Sequence, residues 1–185
     1  PRPDSDPANK AKPRRRNQHS PVDEAPDGMA HARQVALRQL ALGPRTRQQL
    51  ADKMRDRECP PEVIERVLER MTEVGLVDDE AYAHMLVRTK REGSGLAVRG
   101  LRHELRKKGV PEDLAEAAVA DVEPEDERAQ AEALVAARLP RLHGLDRDVQ
   151  MRRLGGYLAR KGYPAGVSFA VIRNALDQAP EHVRD

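Results

Sequence analysis

The sequence predicts an all-α fold, an elongated array of three tandem three-helix repeats of the helix-turn-helix type. Apolar residues recur at helical spacing between prolines, and no run alternates with period two for the length of a strand. A segment of about 50 residues also recurs three times along the chain, which is typical of a repeat protein.

The composition indicates much solvated surface and small cores. Of the 185 residues 35% are charged and 2% aromatic, whereas globular domains average about 25% charged residues. No stretch reaches the roughly 18 consecutive apolar residues of a membrane helix, and the N-terminus lacks the apolar centre of a signal peptide. We therefore expect a cytoplasmic protein without membrane contact. Cys59 has no disulfide partner and is expected to be a small buried side chain.

The two ends of the chain are predicted to be tails. Residues 1–28 contain six of the fourteen prolines and only Val22 as a large apolar residue, so burial cannot offset the entropy of ordering them. A basic cluster in this tail either contacts an anionic partner or keeps the chain soluble; it consists of Lys10, Lys12, Arg14, Arg15 and Arg16. A short C-terminal tail is predicted over 179–185.

Prolines and capping residues mark the helices in order. The remaining prolines lie between apolar-periodic segments, at Pro44, Pro60, Pro61, Pro111, Pro124, Pro140, Pro164 and Pro180. Thr46 and Gln49 have capping-box spacing, and Asp78 precedes another apolar run. Acidic residues follow Pro111, where a first helical turn favours them.

The repeat is defined by positions counted from Leu50, Leu101 and Leu154. An apolar residue recurs four positions on, a basic residue seven on and a proline ten on, at Met54, Leu105, Leu158, Arg57, Lys108, Lys161, Pro60, Pro111 and Pro164. The eighth position is glycine in the second and third repeats, which suits the positive φ of a helix end, but Glu58 in the first. The register predicts that Leu101, Leu105, Leu154 and Leu158 are buried.

A further helix precedes each pair, over about 29–42, 79–91 and 125–139, which gives units at 29–77, 78–122 and 123–178. A bundle of this size buries little surface, so neighbouring units are expected to lean on one another. Three units in a row would extend to roughly 70 Å. We expect a monomer.

No set of residues with a catalytic or metal-binding pattern emerges. His103 and Glu104 begin like a zinc-protease pair, but no second histidine follows four residues on. Gly93, Gly95 and Gly100 match no phosphate-binding loop and are expected to form a flexible link between helices. We therefore expect no enzyme activity, metal or cofactor.

The charge distribution supplies the candidate site. From Arg88 to Lys108 eight basic and two acidic residues give a balance of +6, whereas the stretch from Glu112 to Glu127 has a balance of -8. The candidate binding residues for a partner or nucleic acid are Arg88, Lys90, Arg91, Arg99, Arg102, Arg106, Lys107, Lys108 and Arg152. Arginine suits this role because its planar fork binds phosphate or carboxylate bidentately.

Within this set, Arg99, Arg102 and Arg106 recur at i, i+3 and i+7 and form a basic stripe beside the apolar line of their helix. The matching positions of the other two units do not repeat the stripe, so the fold does not require it. Two interpretations remain open, an anion-binding face and a solvated face partly neutralised by the acidic stretch. Because aromatic residues are few, nucleic-acid contacts are expected on phosphates.

Taken together, these residues resemble the RecX family over about residues 30–178. The resemblance is carried by Asp78, Asp79, Tyr82, Ala83, Val87, Arg88, Gly93, Gly95, Leu101, His103, Glu104, Leu105, Arg106, Lys107, Lys108, Gly109 and Val110. The third unit repeats the pattern at Leu154, Tyr157, Leu158, Lys161, Gly162 and Tyr163. The first unit departs from it at Glu58 and Cys59, and the basic, proline-rich tail lies outside the pattern.

The resemblance implies a negative regulator that docks along the filament that RecA recombinase forms on single-stranded DNA. It implies restraint of ATPase, strand-exchange and coprotease activity, and a place in homologous recombination, DNA repair and the SOS response. The partners would be the RecA filament and single-stranded DNA, contacted directly or through the filament. The alternative is a transcriptional regulator whose helix-turn-helix-like units bind duplex DNA, although the net charge of +2 and the lack of an obvious base-reading set disfavour it.

Overall fold

The computed structural model describes residues 26–179, and within that range it contains nine α-helices, one 3₁₀-helix and no strand. The α-helices are α1 Pro26–Ala41, α2 Arg47–Arg55, α3 Pro61–Glu73, α4 Asp79–Ser94, α5 Val98–Lys107, α6 Glu112–Val119, α7 Pro124–Arg138, α8 Arg147–Arg160 and α9 Ala165–Asp177, with the 3₁₀-helix at Leu139–Leu142. The predicted all-α fold is confirmed. The predicted tails at 1–28 and 179–185 lie almost wholly outside the described residues.

Three separate cores follow one another along the chain. One forms among α1, α2 and α3, the next among α4, α5 and α6, and the last among α7, α8 and α9. The four leucines predicted to be buried are fully buried, at Leu101, Leu105, Leu154 and Leu158, and so is Leu50. Cys59 is also buried, and burial raises the pKa of its thiol. The fold is therefore an array of three small bundles.

The capping residues act as the sequence predicts. Thr46 and Gln49 form a complete capping box at the start of α2. The Asp78 carboxylate accepts a hydrogen bond from the Ala81 N–H at 2.8 Å at the start of α4. The turn between the second and third helix of each unit has a positive φ, 76° at Gly109 and 92° at Gly162. Glu58 adopts the same conformation, with φ 59°, although it carries a side chain.

The expectation of a flexible glycine link between α4 and α5 is wrong. Gly93 lies inside α4, and Gly95 is the left-handed C-cap of that helix, with φ 59° and ψ 44°. Gly100 lies inside α5, where a Cβ atom would come within 2.4 Å of the Lys161 carbonyl oxygen. Two of these positions therefore need glycine for steric reasons. Gly95 ends a helix in the left-handed conformation, and Gly100 allows a close backbone contact.

The first and second units meet where the N-terminus of α2 packs on the turn after α5. The Thr46 hydroxyl donates to the Lys108 carbonyl at 2.6 Å, and the Arg47 N–H donates to Asp79 Oδ1 at 2.8 Å. A Cβ atom at Gly109 would lie 2.4 Å from the Gln48 side chain. Position 109 therefore requires glycine for two reasons. Its φ is positive, and a side chain there would collide with the first unit.

The second and third units meet at the equivalent place. The Ala97 N–H, at the start of α5, donates to the Lys161 carbonyl at 3.0 Å, and the Tyr163 hydroxyl donates to the Gly95 carbonyl at 3.1 Å. A Cβ atom at Gly162 would lie 2.3 Å from the Gly100 nitrogen. Each joint thus places the start of one unit's second helix on the next unit's glycine turn. Burial at this joint raises the pKa of Tyr163 to about 12.

Candidate functional site

Helix α5 carries the centre of the predicted basic face. Leu101 and Leu105 fill the second core, and the other side of the helix meets solvent. The three arginines of the stripe do not act as one row. Arg102 pairs with Glu116 of α6 at 2.6 Å, so its charge is largely matched within the unit.

Arg99 and Arg106 remain available on the same helix. Arg99 is exposed and has no ion pair among residues 26–179. Arg106 approaches Glu112 at 3.9 Å, with both side chains more than half exposed, and such pairs contribute little. The structure therefore matches the neutralised interpretation at Arg102 and leaves two arginines free for an anion.

In the structure His103, and not Arg102, lines a groove together with Arg99 and Arg106. Arg99, His103 and Arg106, at i, i+4 and i+7, line one groove together with Arg160 from α8. The groove lies between α5, α8 and α9, at the joint of the second and third units, and has a volume of about 680 Å³. None of its lining residues is acidic.

The interior of the groove is mostly apolar. Met151, Phe169 and Ile172 line it, and Phe169 is 56% exposed. Ser168 also lines it; this residue is 6% exposed, and its hydroxyl has no hydrogen-bond partner. A buried hydroxyl without a partner is unusual in native structures.

The other predicted binding residues are distributed over different surfaces. Arg88 and Arg91 line a second depression beside Glu92 and Asp121, and it shares no lining residue with the groove. Lys90 is half-buried on α4, whereas Lys107 on α5 and Arg152 on α8 are exposed, and none of the three lines the groove. Lys108 belongs to the joint between the first two units, where its carbonyl accepts the Thr46 hydroxyl.

Sequence reasoning missed Arg160 and Phe169. Arg160 lies at the end of α8, outside the basic segment from Arg88 to Lys108. Phe169 precedes the buried Ile172 and Leu176 by three and seven residues, which is the spacing of one helical face, so its 56% exposure is visible only in the structure.

The arginine side chains that line the groove can donate hydrogen bonds to an anion. Ser168 lacks the hydrogen-bonded base that would activate a nucleophilic hydroxyl. Among residues 26–179, no group of three or more His, Cys, Asp and Glu side chains is arranged to hold a metal ion. In the same part of the chain, no helix has both the length and the apolarity to cross a membrane.

Comparison with known sequences assigns all three units to one family. Models of the first, second and third three-helix domains of RecX match residues 32–71, 78–119 and 125–172. The chain is 48% identical over 155 residues to the regulatory protein RecX of Streptomyces lividans, which covers 84% of this chain and 82% of the relative. It is 47% identical over 154 residues to that of Thermobifida fusca, with 83% of each chain covered.

Solved structures agree with the fold. The crystal structure of RecX from Lactobacillus salivarius superposes with a TM-score of 0.72 at 21% identity, covering 81% of this chain and 97% of that one. A second crystal structure, of a regulatory protein RecX, gives a TM-score of 0.70 at 26% identity, covering 80% and 72%.

Proposed function

This chain belongs to the RecX family, and from that premise we propose that it is a negative regulator of RecA recombinase, which docks along the RecA–single-stranded DNA filament. There it restrains the ATPase, strand-exchange and coprotease activities of the filament. It acts without catalysis of its own, as a cytoplasmic protein of homologous recombination, DNA repair and the SOS response. We propose that it binds as a monomer.

The observation that carries this proposal is the array of three separately cored units held by equivalent joints. A filament presents the same surface again and again, and linked modules bind such a target far more tightly than one module does. The joints fix the spacing of the units, because each holds a helix start against a glycine turn by short backbone contacts. An array with fixed spacing between its units suits a partner whose binding surface repeats along a filament.

The primary test is the single-stranded-DNA-dependent ATPase of RecA. We expect inhibition at fewer than one molecule per RecA subunit, because an array that bridges subunits affects more than one of them. Unchanged ATP turnover at a molar excess over RecA would contradict the proposal.

A double charge reversal locates the contact. Arg99→Glu with Arg106→Glu should weaken filament binding about tenfold or more, since two attractions become repulsions and about 1.4 kcal/mol is tenfold. Arg102 is left intact because its reversal would place a second carboxylate beside that of Glu116. The matched control is Arg33→Glu with Arg38→Glu, on the exposed side of α1, which changes the net charge equally. Equal losses in both variants would mean that overall charge, and not α5, drives binding.

A competition experiment separates this function from the alternative of a duplex-binding transcriptional regulator. Filament-bound protein should be retained when excess duplex DNA is added. Transfer to the duplex would favour the alternative, in which the helix-turn-helix-like units bind DNA directly.

A further inference from the structure

Phe169 is the single phenylalanine of the chain and lies in the wall of the groove between α5, α8 and α9. It is 56% exposed, whereas its neighbours Val171 and Ile172 are buried in the third core. The ring therefore adds little to the packing of α9. Single exposed apolar side chains are normal on protein surfaces. The residues around Phe169 therefore determine whether it indicates a binding site.

The surroundings are rich in arginine. Arg99, His103, Arg106 and Arg160 line the same groove, and no acidic residue does. Arg99 and Arg160 have no ion pair among the described residues. Guanidinium groups around an aromatic face are the combination that binds single-stranded nucleic acid, where the arginines contact phosphates and the ring stacks on a base.

The size of the groove limits what it can hold. The volume of about 680 Å³ exceeds what a lone phosphate needs and falls in the range of organic ligands.

We propose that this groove binds single-stranded DNA directly, with one base stacked on Phe169 and the neighbouring phosphates held by Arg99, Arg106 and Arg160. This inference rests on the proposed function and deepens it, because it assigns the strand itself to a face of this chain. Acidic side chains of a protein segment would pair with the arginines but would not stack on the ring. A duplex would offer phosphates, but its bases are already stacked on one another.

The test compares two fluorescein-labelled oligonucleotides of equal length, an oligothymidylate and an otherwise identical strand with abasic sugars. Binding to the full chain is measured by anisotropy without RecA. Phe169→Ala should weaken oligothymidylate binding about fivefold or more and abasic-strand binding less than twofold, because only the first strand can stack. Phe169→Tyr should restore the loss.

Two further variants complete the design. Arg99→Glu with Arg106→Glu should weaken both strands and flatten the salt dependence, because phosphate contacts are lost. Leu42→Ala, at an apolar side chain of the first unit that is 74% exposed, should change neither strand. Circular dichroism checks that each variant is folded.

The inference is overturned if the wild-type chain binds neither strand, or if Phe169→Ala weakens both strands equally or neither. It is also overturned if polyglutamate displaces the oligothymidylate and depends on Phe169 in the same way, which would assign the groove to an acidic protein segment. Inhibition of the RecA ATPase by the wild-type chain is measured in parallel. Inhibition without strand binding removes only this inference, whereas strand binding without inhibition removes only the proposed function.

Discussion

Replacing Gly100 by alanine should destabilise the protein, although alanine is normally the better helix residue. In the interior of an exposed helix this change gains about 1 kcal/mol. At Gly100, however, the new Cβ atom would lie 2.4 Å from the Lys161 carbonyl oxygen, where ordinary contacts begin at 3.4 Å. The backbone atoms on both sides belong to helix α5 and to a fixed turn, so one unit must withdraw from the other.

The magnitude follows from what this withdrawal breaks. The two hydrogen bonds of the joint, from the Ala97 N–H and the Tyr163 hydroxyl, contribute about 1 kcal/mol each. Overpacking by one methyl group costs about 1 to 3 kcal/mol. After the helix-propensity gain of about 1 kcal/mol is subtracted, we expect a net loss of about 2 to 4 kcal/mol in the free energy of unfolding.

The assay is urea denaturation followed by circular dichroism, with small-angle scattering to detect separation of the units. Gly155→Ala is the matched control, because Gly155 lies inside α8 with open space around its Cβ position. It should stabilise the protein by about 1 kcal/mol. If Gly100→Ala stabilised the protein as much as the control, the close joint between the second and third units would be refuted.

Two further predictions test the core and the pH response. Leu105→Ala should lower the free energy of unfolding by about 2 to 5 kcal/mol, since Leu105 is fully buried; a loss below about half a kcal/mol in urea would refute the register. Tyr163 has a pKa of about 12 in the folded chain against 10.0 for the unperturbed side chain, so its contribution to stability is complete below pH 10 and is lost as the pH rises to 12. Tyr163→Phe should flatten the fall in stability over this window, and an unchanged fall would contradict the assignment.

The sequence predicts the structural features that depend on local residue chemistry or on helical spacing. The capping box at Thr46, the positive φ at Gly109 and Gly162 and the burial of Leu105 all follow from residue chemistry and helical spacing. The joints could not be predicted in the same way. The contact of Gly100 with the Lys161 carbonyl depends on how two units approach, and spacing within one unit does not encode that approach.

In the candidate site, too, the sequence predicts which residues are present but not which residues they contact in the fold. Arg99 and Arg106 were predicted from the charge balance, and both line the groove. The partner of Arg102 was not predicted, because α6 brings Glu116 next to it only in the folded unit. Phe169 was missed because its spacing from Ile172 and Leu176 is that of a core residue, and the low total of aromatic residues says nothing about where a single ring lies.

Each joint is directional, because the start of one unit's second helix contacts the glycine turn of the next unit. This direction has a consequence for self-assembly. A head-to-tail contact that does not close into a ring propagates into an open fibre if every copy can accept another. Within the described residues, neither end of the array repeats the features of the two joints. At the first turn Glu58 places a side chain where a joint tolerates only glycine, and Glu58 is exposed. At the last unit α8 begins about one turn earlier than its counterparts, and Gln150 is buried against the Leu142 carbonyl. We therefore expect copies of this chain not to join head to tail through this contact, so that the array keeps the length of three units.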